Sequence, residues 1–498
     1  MKPLFVLVCL CGIALTSFSQ KRDLFWMQCS YNGIWPRGAI DFSSGIAEII
    51  TVDRPMGMLH TANLTMGDTS GQAIYWTNGV TIENRFAESM KNSKNFNPGF
   101  WTDYYGEYGL AITQAIVSLP MPEHDSLYAV FHVSAENIFS NNLFDAQPLR
   151  LSGTVINMNL DSSRGAVVKG LKNVTLIDDT LVNGRLTACK HGNGRDWWVI
   201  TQEYFSNRYY KLLLSKDTVY LKDEQPIGYT PEEQDIIGQA VFSPDGSKYA
   251  VISRTDTIQF LDFDRCTGEF SNPVTLVVPD SVFSSIGLAF SPSGRYLYAS
   301  TFWHVVQFDT WAMDIQSSVD TVAVFDQTFD SLAVNLPFDF AYMALAPDKR
   351  IYIHTWNSTT RLHYIEFPDS AGDACNVVQH SFALPSYNFS LPNHPNYDLG
   401  RLLGAPCDTL TAIEEVVAPD HFRIYPNPAS ESINIVYDVQ QHALFELFDL
   451  WGRKVTATTL YSYHKNRVVH VNELPPGLYS YSITSLQAQL QSGKIVIE

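Results

Sequence analysis

A short β-hairpin pattern recurs along most of the chain. Its three clearest copies each contain an apolar strand, a turn with proline and a second apolar strand, at Ala240–Ile252, Ala289–Ala299 and Ala344–Ile353. Weaker copies have their turns at Asp68–Gly71, His124–Ser126 and Gly192–Asp196. The clear copies are spaced by roughly 50 residues, a period typical of repeats with about four strands each.

The chemistry of the turns explains why the pattern forms hairpins. In the first clear copy, Pro244 fixes φ, Asp245 offers a side-chain acceptor and Gly246 accepts a positive φ. Repeats of this kind bury both faces of each sheet against their neighbours, as the blades of a β-propeller do. We therefore predict an all-β fold with a β-propeller of seven blades. Six or eight blades, or a long β-sandwich, are the alternatives.

A propeller ring has to close. Ala39–Gly45 and Ala47–Val52 match the outer strands Phe260–Asp264 and Val274–Val278 in position and character, but no turn motif precedes them. An unclosed ring would leave strand edges exposed. We therefore expect a shared blade, in which N-terminal strands between residues 25 and 52 pair with a strand near residues 390–400.

The N-terminus predicts export. Lys2 is followed by an apolar run from Leu4 to Leu15 and by the small residues Ser17 and Ser19, so we assign residues 1–19 to a signal peptide. No later segment is apolar for long enough to span a membrane. With 33 Lys and Arg against 51 Asp and Glu, the net charge of -18 argues against a nucleic-acid partner.

Cysteine usage argues against a metal or redox centre. The exported chain keeps an odd number of cysteines without a Cys-x-x-Cys unit, at Cys29, Cys189, Cys266, Cys375 and Cys407. Two alternatives remain: a disulfide between Cys375 and Cys407, or buried free thiols. We expect neither a metal nor a cofactor.

The pattern changes after Cys407. We place the propeller at residues 20–407, a linker at 408–420 and a second domain at 421–498. Alternating strands predict that this domain is a small, immunoglobulin-like β-sandwich. The strands are Ser432–Tyr437, Ala443–Asp449, Arg467–Val471, Gly477–Ile483 and Lys494–Ile497.

Motifs in this second domain follow one another in a specific order. They are Tyr425–Ala429, Ile433–Ile435, Phe448–Val455, Leu474–Tyr479 and Gly493–Ile497. Together they resemble the type A C-terminal sorting domain of type IX secretion cargo, with motif positions at Tyr425, Pro426, Asn427, Pro428, Gly452, Gly477 and Lys494. The resemblance implies that the type IX machinery is a partner, that the chain crosses the outer membrane, and that the domain is commonly removed or replaced by a surface anchor.

The propeller region carries a second resemblance. The matching segments are Asp41–Gly45, Tyr75–Gly79, Asn193–Trp198, Asp262–Gly268 and Pro395–Gly400. They are similar to large surface propellers that accompany gliding-motility and type IX proteins. Asp398 departs from the Arg that such proteins carry. The resemblance implies a fold and a location at the cell surface, but no reaction.

A search for catalytic motifs identifies no catalytic residue. His191 with Asp196 is read as part of a turn, and Asp262 with Asp264 offers too few oxygens for calcium. The loops after the second strand of each blade emerge on one face, beside the channel, and carry aromatic rings among amides and charges suited to a glycan or peptide. These candidate ligand-binding residues are Trp76, Asn78, Glu203, Tyr204, Arg254, Asp256, Trp303, His304, Trp356 and Asn357.

The sequence therefore favours a secreted or cell-surface binding or scaffold protein, resembling an adhesin, without an assigned reaction. One alternative is a secreted enzyme that cleaves polysaccharide or peptide with channel carboxylates, for which Asp235, Glu203 and Asp339 are the first candidates. The other is a structural component of a surface layer.

Overall fold

The computed structural model describes residues 21–28, 38–52, 61–140, 143–216, 218–230, 237–279, 286–332, 335–357, 359–388, 390–408, 422–437, 439, 441–485 and 489–498. The predicted signal peptide, Cys29 and nearly all of the predicted linker lie outside these ranges. No helix within them has the length and apolar character needed to cross a membrane.

Seven antiparallel sheets follow one another as far as Asn388. The first three contain β1 (Phe25–Gln28), β2 (Gly38–Asp41) and β3 (Glu48–Thr51); β4 (Leu64–Gly67), β5 (Ala73–Thr77) and β6 (Ile82–Asn84); and β7 (Ile116–Pro120), β8 (Leu127–Val133), β11 (Arg150–Asn157), β12 (Ala166–Val167) and β13 (Val174–Asp178). A separate hairpin, β9 (Glu136–Ser140) and β10 (Leu143–Gln147), lies between β8 and β11.

The remaining four sheets have four strands each, paired in chain order. They are β14 (Thr187–Lys190), β15 (Trp197–Gln202), β16 (Arg208–Leu214) and β17 (Val219–Pro226); β18 (Gly238–Phe242), β19 (Lys248–Ser253), β20 (Thr257–Phe263) and β21 (Phe270–Val277); β22 (Gly287–Phe290), β23 (Tyr296–Ser300), β24 (His304–Asp309) and β25 (Asp320–Val324); and β28 (Met343–Leu345), β29 (Ile351–Ile353), β30 (Thr359–Ile365) and β31 (Val377–Asn388). A short hairpin, β26 (Phe329–Asp330) and β27 (Leu336–Pro337), precedes the last sheet.

The helical content is small. The helical segments are Phe100–Tyr105, Gly106–Tyr108, Leu160–Ser163, Gln316–Ser318 and Gly372–Cys375. First strands of neighbouring sheets contact one another, and a channel runs between them. The structure confirms the all-β propeller, with seven sheets as its blades.

Ring closure differs in detail from the expectation. Strands β1 to β3 form a sheet of their own, and residues 390–400 contain no strand. This segment instead lies along the channel, where Leu391 packs in a cluster with Trp26. The expected strand pairing does not form because Pro392 and Pro395 have no N–H to donate to a ladder.

Side chains of this channel segment, residues 390–400, bond other blades instead. The Nδ2 of Asn393 donates to the carbonyls of Ile116 at 3.0 Å and Leu186 at 2.9 Å, and its backbone N–H donates to the Asn63 carbonyl at 3.1 Å. One asparagine therefore joins the inner strands of three blades.

A disulfide fixes the chain just beyond the channel segment. It joins Cys407 to Cys266, in the loop between β20 and β21, across 141 residues of sequence. Of the two alternatives left open, the Cys375–Cys407 disulfide is wrong, because Cys375 is a buried thiol, as is Cys189. Arg265 supports the closure: its Nε donates to the Lys190 carbonyl at 2.8 Å.

The second domain is a β-sandwich, as predicted. One sheet contains β32 (Phe422–Tyr425), β33 (Ser432–Tyr437) and β36 (Asn466–His470), and the other contains β34 (Ala443–Phe448), β35 (Lys454–Leu460), β37 (Gly477–Thr484) and β38 (Gln489–Ile497). Alternate residues such as Ile433, Ile435 and Phe445 are fully buried between the sheets.

The sandwich packs on the propeller through the loop after β34. The Trp451 ring is 4% exposed and lies over the backbone of Gly153, where a Cβ would be 2.3 Å from the ring. Phe131 meets Trp451 edge-on, with centroids 6.1 Å apart. The backbone N–H of Val219 donates to the Leu450 carbonyl at 3.0 Å. Two blades and the sandwich therefore share this contact.

Because Asn393 bonds three blades, its loss should make the protein less stable. Asn393→Ala leaves the Ile116 and Leu186 carbonyls without their donor, so we expect the free energy of unfolding to fall by about 2 to 4 kcal/mol. Denaturant unfolding followed by tryptophan fluorescence measures this. Asn466→Ala, at an exposed position of β36, is the control. Equal stability of the two variants would contradict the role of Asn393.

Three buried histidines predict a pH dependence. Burial lowers the pKa of His132 to about 3, of His354 to about 4 and of His363 to about 3, from an ordinary 6.5. Below pH 6.5 these three side chains bind protons in the unfolded chain but not in the folded protein, so their contribution to the free energy of unfolding should decrease from pH 6.5 towards pH 4. Urea unfolding across this range measures the slope. His363→Gln should flatten it and the exposed His470→Gln should not; equal slopes would contradict this account.

Candidate binding face

One end of the channel collects the loops that follow the second strand of the second to seventh blades. Within a blade the second strand runs antiparallel to the first, so these loops emerge where the first strands begin. In the sixth blade the loop contains Phe302 and Trp303, and in the seventh it contains Trp356 and Asn357. Adjacent blades thus bring the two predicted tryptophans to the same face.

These two loops form an aromatic surface. Trp303 is 48% exposed and Trp356 is 44% exposed. The Trp356 ring lies 5.6 Å from Phe302 and 6.2 Å from Tyr342, while Trp303 lies 5.4 Å from Phe325. We call Phe302, Trp303, Phe325 and Trp356 the aromatic face; Tyr342 is buried behind it.

Hydrogen bonds hold both loops in place. The Asp339 carboxylate accepts from the Trp356 backbone N–H at 2.8 Å and from Asn357 Nδ2 at 3.1 Å. The Thr301 hydroxyl accepts from the backbone N–H groups of Trp303 at 3.1 Å and His304 at 2.8 Å. The backbone of both loops is therefore held in place before any ligand arrives, which lowers the entropy cost of binding.

Two predicted residues lie inside the protein. Trp76 is fully buried, and its Nε1 donates to Glu83 at 3.0 Å. Asn78 is also fully buried, and its Oδ1 accepts from the backbone N–H groups of Val80 and Thr81. Because neither side chain reaches the surface, the candidate site excludes both.

The other predicted residues surround the channel on neighbouring blades. Glu203 forms an ion pair with Arg208 at 3.3 Å, and the Tyr204 ring lies 4.2 Å from that of Phe205. Arg254 is exposed, and the half-buried Asp256 has a φ of 67° in the tight turn before β20. His304 is half-buried beside Trp303. These groups add polar character around the aromatic face.

Two sequence features that we read as structural make structural contacts. His191 Nδ1 accepts from the Asn193 backbone N–H at 3.0 Å, as expected of a turn. Asp262 pairs with Lys248 and accepts from Asn272 Nδ2 at 2.9 Å. Within the described ranges, no three His, Cys, Asp or Glu side chains come together as a metal site.

Of the three carboxylates proposed for catalysis, two lie within the described residues, and both make other contacts. Asp235 lies outside the described residues, and Glu203 faces Arg208. Burial raises the pKa of Asp339 to about 6, although its hydrogen bonds act to lower it. The carboxylate accepts a hydrogen bond from the Trp356 backbone and so holds that loop in place.

The sequence reading missed a different pair at the opposite end of the channel. Asp23 and Asp398 both line the channel cavity, whose volume is about 270 Å³. Burial raises the pKa of Asp23 to about 7, and the negative charge of Asp398 adds to the rise. Asp23 precedes the first strand without any motif, so no local signal marks it in the sequence.

The motif residues of the second domain are mostly on its surface. Asn427 bridges to the last strand, because its Nδ2 donates to the Lys494 carbonyl at 2.9 Å and its Oδ1 accepts from the Val496 N–H at 2.8 Å. Gly452 has a φ of 69° in the turn capped by Asp449. Gly477 begins β37, and Tyr425, Pro426 and Pro428 are exposed.

Comparison with known proteins identifies the second domain. Residues 423–498 match the secretion system C-terminal sorting domain family. The chain is therefore cargo of the type IX secretion system, exported to the cell surface or the extracellular space, and its sorting domain is what that machinery recognises.

Several solved structures are similar to the chain at low identity. The periplasmic gluconolactonase of Pseudomonas aeruginosa is 11% identical, with 73% of this chain and 98% of that one covered and a TM-score of 0.40. A functionally unknown protein from Desulfotomaculum acetoxidans is 13% identical over 74% and 99%, with a TM-score of 0.39. The Swd1 β-propeller domain of Myceliophteria thermophila is 10% identical over 67% and 92%, with a TM-score of 0.35. No curated protein matches the chain. Likenesses of this degree carry no argument about activity.

Sorting predicts the fate of a truncated chain. Without Phe422–Glu498 the protein lacks the matched domain, so we expect it to accumulate in the periplasm instead of at the cell surface. Cell fractionation and protease access on intact cells measure this, and circular dichroism checks that the truncated propeller is folded. Surface exposure equal to that of the full chain would contradict the assignment.

Proposed function

We propose that this exported chain is a surface or extracellular binding protein, resembling an adhesin or scaffold, whose aromatic face binds a glycan or an extended peptide. The observation that carries the proposal is the pair Trp303 and Trp356, which expose nearly half of their surface on two adjacent, hydrogen-bonded loops. Attachment during gliding motility is one setting in which such a protein would act.

The chemistry of the face suits such ligands. Aromatic rings offer flat apolar surfaces on which sugar rings and peptide side chains pack, and a few fixed polar groups set the orientation. Asn357, His304 and Arg254 supply polar groups on the same end of the propeller. Exposed rings in fixed positions are also the residues that dominate binding energy in recognition surfaces.

A second candidate function is cleavage of a polysaccharide or peptide. It is favoured by Asp23 and Asp398, since a buried carboxyl group with a raised pKa beside a second carboxylate can act as a general acid. Product release by the wild-type chain that is lost in Asp23→Asn and in Asp398→Asn would support this function over simple binding.

Binding should depend on both tryptophans. We expect Trp303→Ala and Trp356→Ala each to weaken binding by about tenfold or more, because each removes a large exposed ring. An array of polysaccharides, cell-wall fragments and peptides identifies the ligand, and calorimetry of the purified full chain measures its affinity.

Trp311→Ala is the matched control. Trp311 is 68% exposed, but it lies in the loop between β24 and β25, which emerges at the opposite face. Binding that survives both Trp303→Ala and Trp356→Ala, or that is lost in Trp311→Ala, would contradict the proposal.

A further inference from the structure

The channel cavity contains buried polar atoms without hydrogen-bond partners. Five of these belong to residues at least nine-tenths buried, and the sixth belongs to a ring whose other nitrogen is bonded. They are Trp26 Nε1, Asn63 Oδ1, Thr113 Oγ1, Tyr342 OH, Ser390 Oγ and His394 Nδ1. Buried polar groups are normally paired, so a cluster around one cavity points to a partner that enters it.

The chemical character of these atoms limits what the partner is. Asn63 Nδ2 donates to the Met27 carbonyl, so its Oδ1 is left as an acceptor. His394 Nε2 lies 2.8 Å from the Thr65 carbonyl and must donate to it, so its Nδ1 is also an acceptor. Trp26 offers an N–H donor, and the three hydroxyls both donate and accept. A neutral ligand rich in hydroxyl groups fits such a mixed set.

The charged groups of the cavity lie at its other end. Lys190 ends β14, and its Nζ donates to the Tyr397 carbonyl at 2.9 Å. Asn63, Thr113 and Tyr342, in contrast, stand where the inner strands begin. The Tyr342 hydroxyl lies beside that of Thr113, and Arg185 and Arg254 act on it from nearby, but neither arginine lines the cavity. The side chains that line the cavity next to the aromatic face are therefore uncharged.

Tyr342 connects the cavity to the surface. Its ring lies 6.2 Å from that of Trp356 on the aromatic face, and Tyr342 is also one of the residues that line the cavity. The cavity volume of about 270 Å³ is at the lower limit for small-molecule sites. The space suits one sugar unit better than a length of polymer.

We infer that this end of the channel is a subsite for the terminal, uncharged sugar unit of a linear glycan whose following units stack on Trp356. The inference rests on the proposed function and narrows its ligand to chain ends of neutral polysaccharides. Tyr342 and Thr113 would hydrogen-bond the terminal hydroxyl groups.

Isosteric variants test the subsite in the full chain. Tyr342→Phe and Thr113→Val each remove one of two neighbouring hydroxyls that have no other protein partner, so the fold should be retained. Calorimetry would compare linear cello-, malto-, xylo- and mannohexaose with cyclomaltohexaose, which has no chain end. We expect each variant to weaken binding of the linear ligand about fivefold, and the cyclic sugar to bind at least tenfold more weakly than maltohexaose if malto-oligosaccharides are bound.

Tyr249→Phe is the matched control, because the Tyr249 hydroxyl is equally buried and unpartnered but does not line the channel cavity. Linear binding that is lost in Trp356→Ala but unchanged in Tyr342→Phe and Thr113→Val would overturn the subsite and leave the proposed function intact. Binding of peptides alone would also overturn it. Binding of no ligand at the face would overturn both.

Discussion

Closure of the ring is the constraint on which the rest of this structure depends. Seven sheets packed side by side bury their faces only when the last meets the first, and here the chain closes the ring from inside. Asn393 bonds the inner strands of three blades, and the Cys266–Cys407 disulfide ties the exit of the channel segment to the fifth blade. The positions of all loops at both ends of the channel follow from that arrangement.

This mode of closure also shapes the candidate site. In a regular inner strand, the backbone N–H and C=O groups would bond the neighbouring strand. In this proline-containing segment, side chains make the hydrogen bonds to the blades instead. The Asn393 amide and the Tyr397 hydroxyl bond the inner strands, while the buried Ser390 hydroxyl, in a residue that lines the cavity, has no protein partner. At the seam between the first and last blades, Leu391 of the same segment packs in one cluster with Trp26 and Tyr352.

The sequence predicted features that depend on neighbouring residues, but not contacts between residues far apart in the chain. Turns such as Pro244–Gly246 specify their own hairpins, so repeats, fold and sorting domain could be predicted. Trp76 was misplaced because β5 continues to Thr77, and its ring packs on Met27 and Ala39 of the preceding sheet. The partner of Cys407, the setting of Asp23 and the cavity depend on residues more than a hundred positions apart, for which one sequence carries no local signal.

The contact between Trp451 and Gly153 makes the two domains depend on each other's sequence. Any side chain at position 153 would occupy the space of the indole ring, and a sorting domain without a large ring at position 451 would leave that hollow unfilled. A sorting domain grafted from another cargo could still be read by the export machinery yet sit loosely on this propeller. Gly153 and Trp451 therefore fit the propeller to its own sorting domain, and a change at either position requires a matching change at the other.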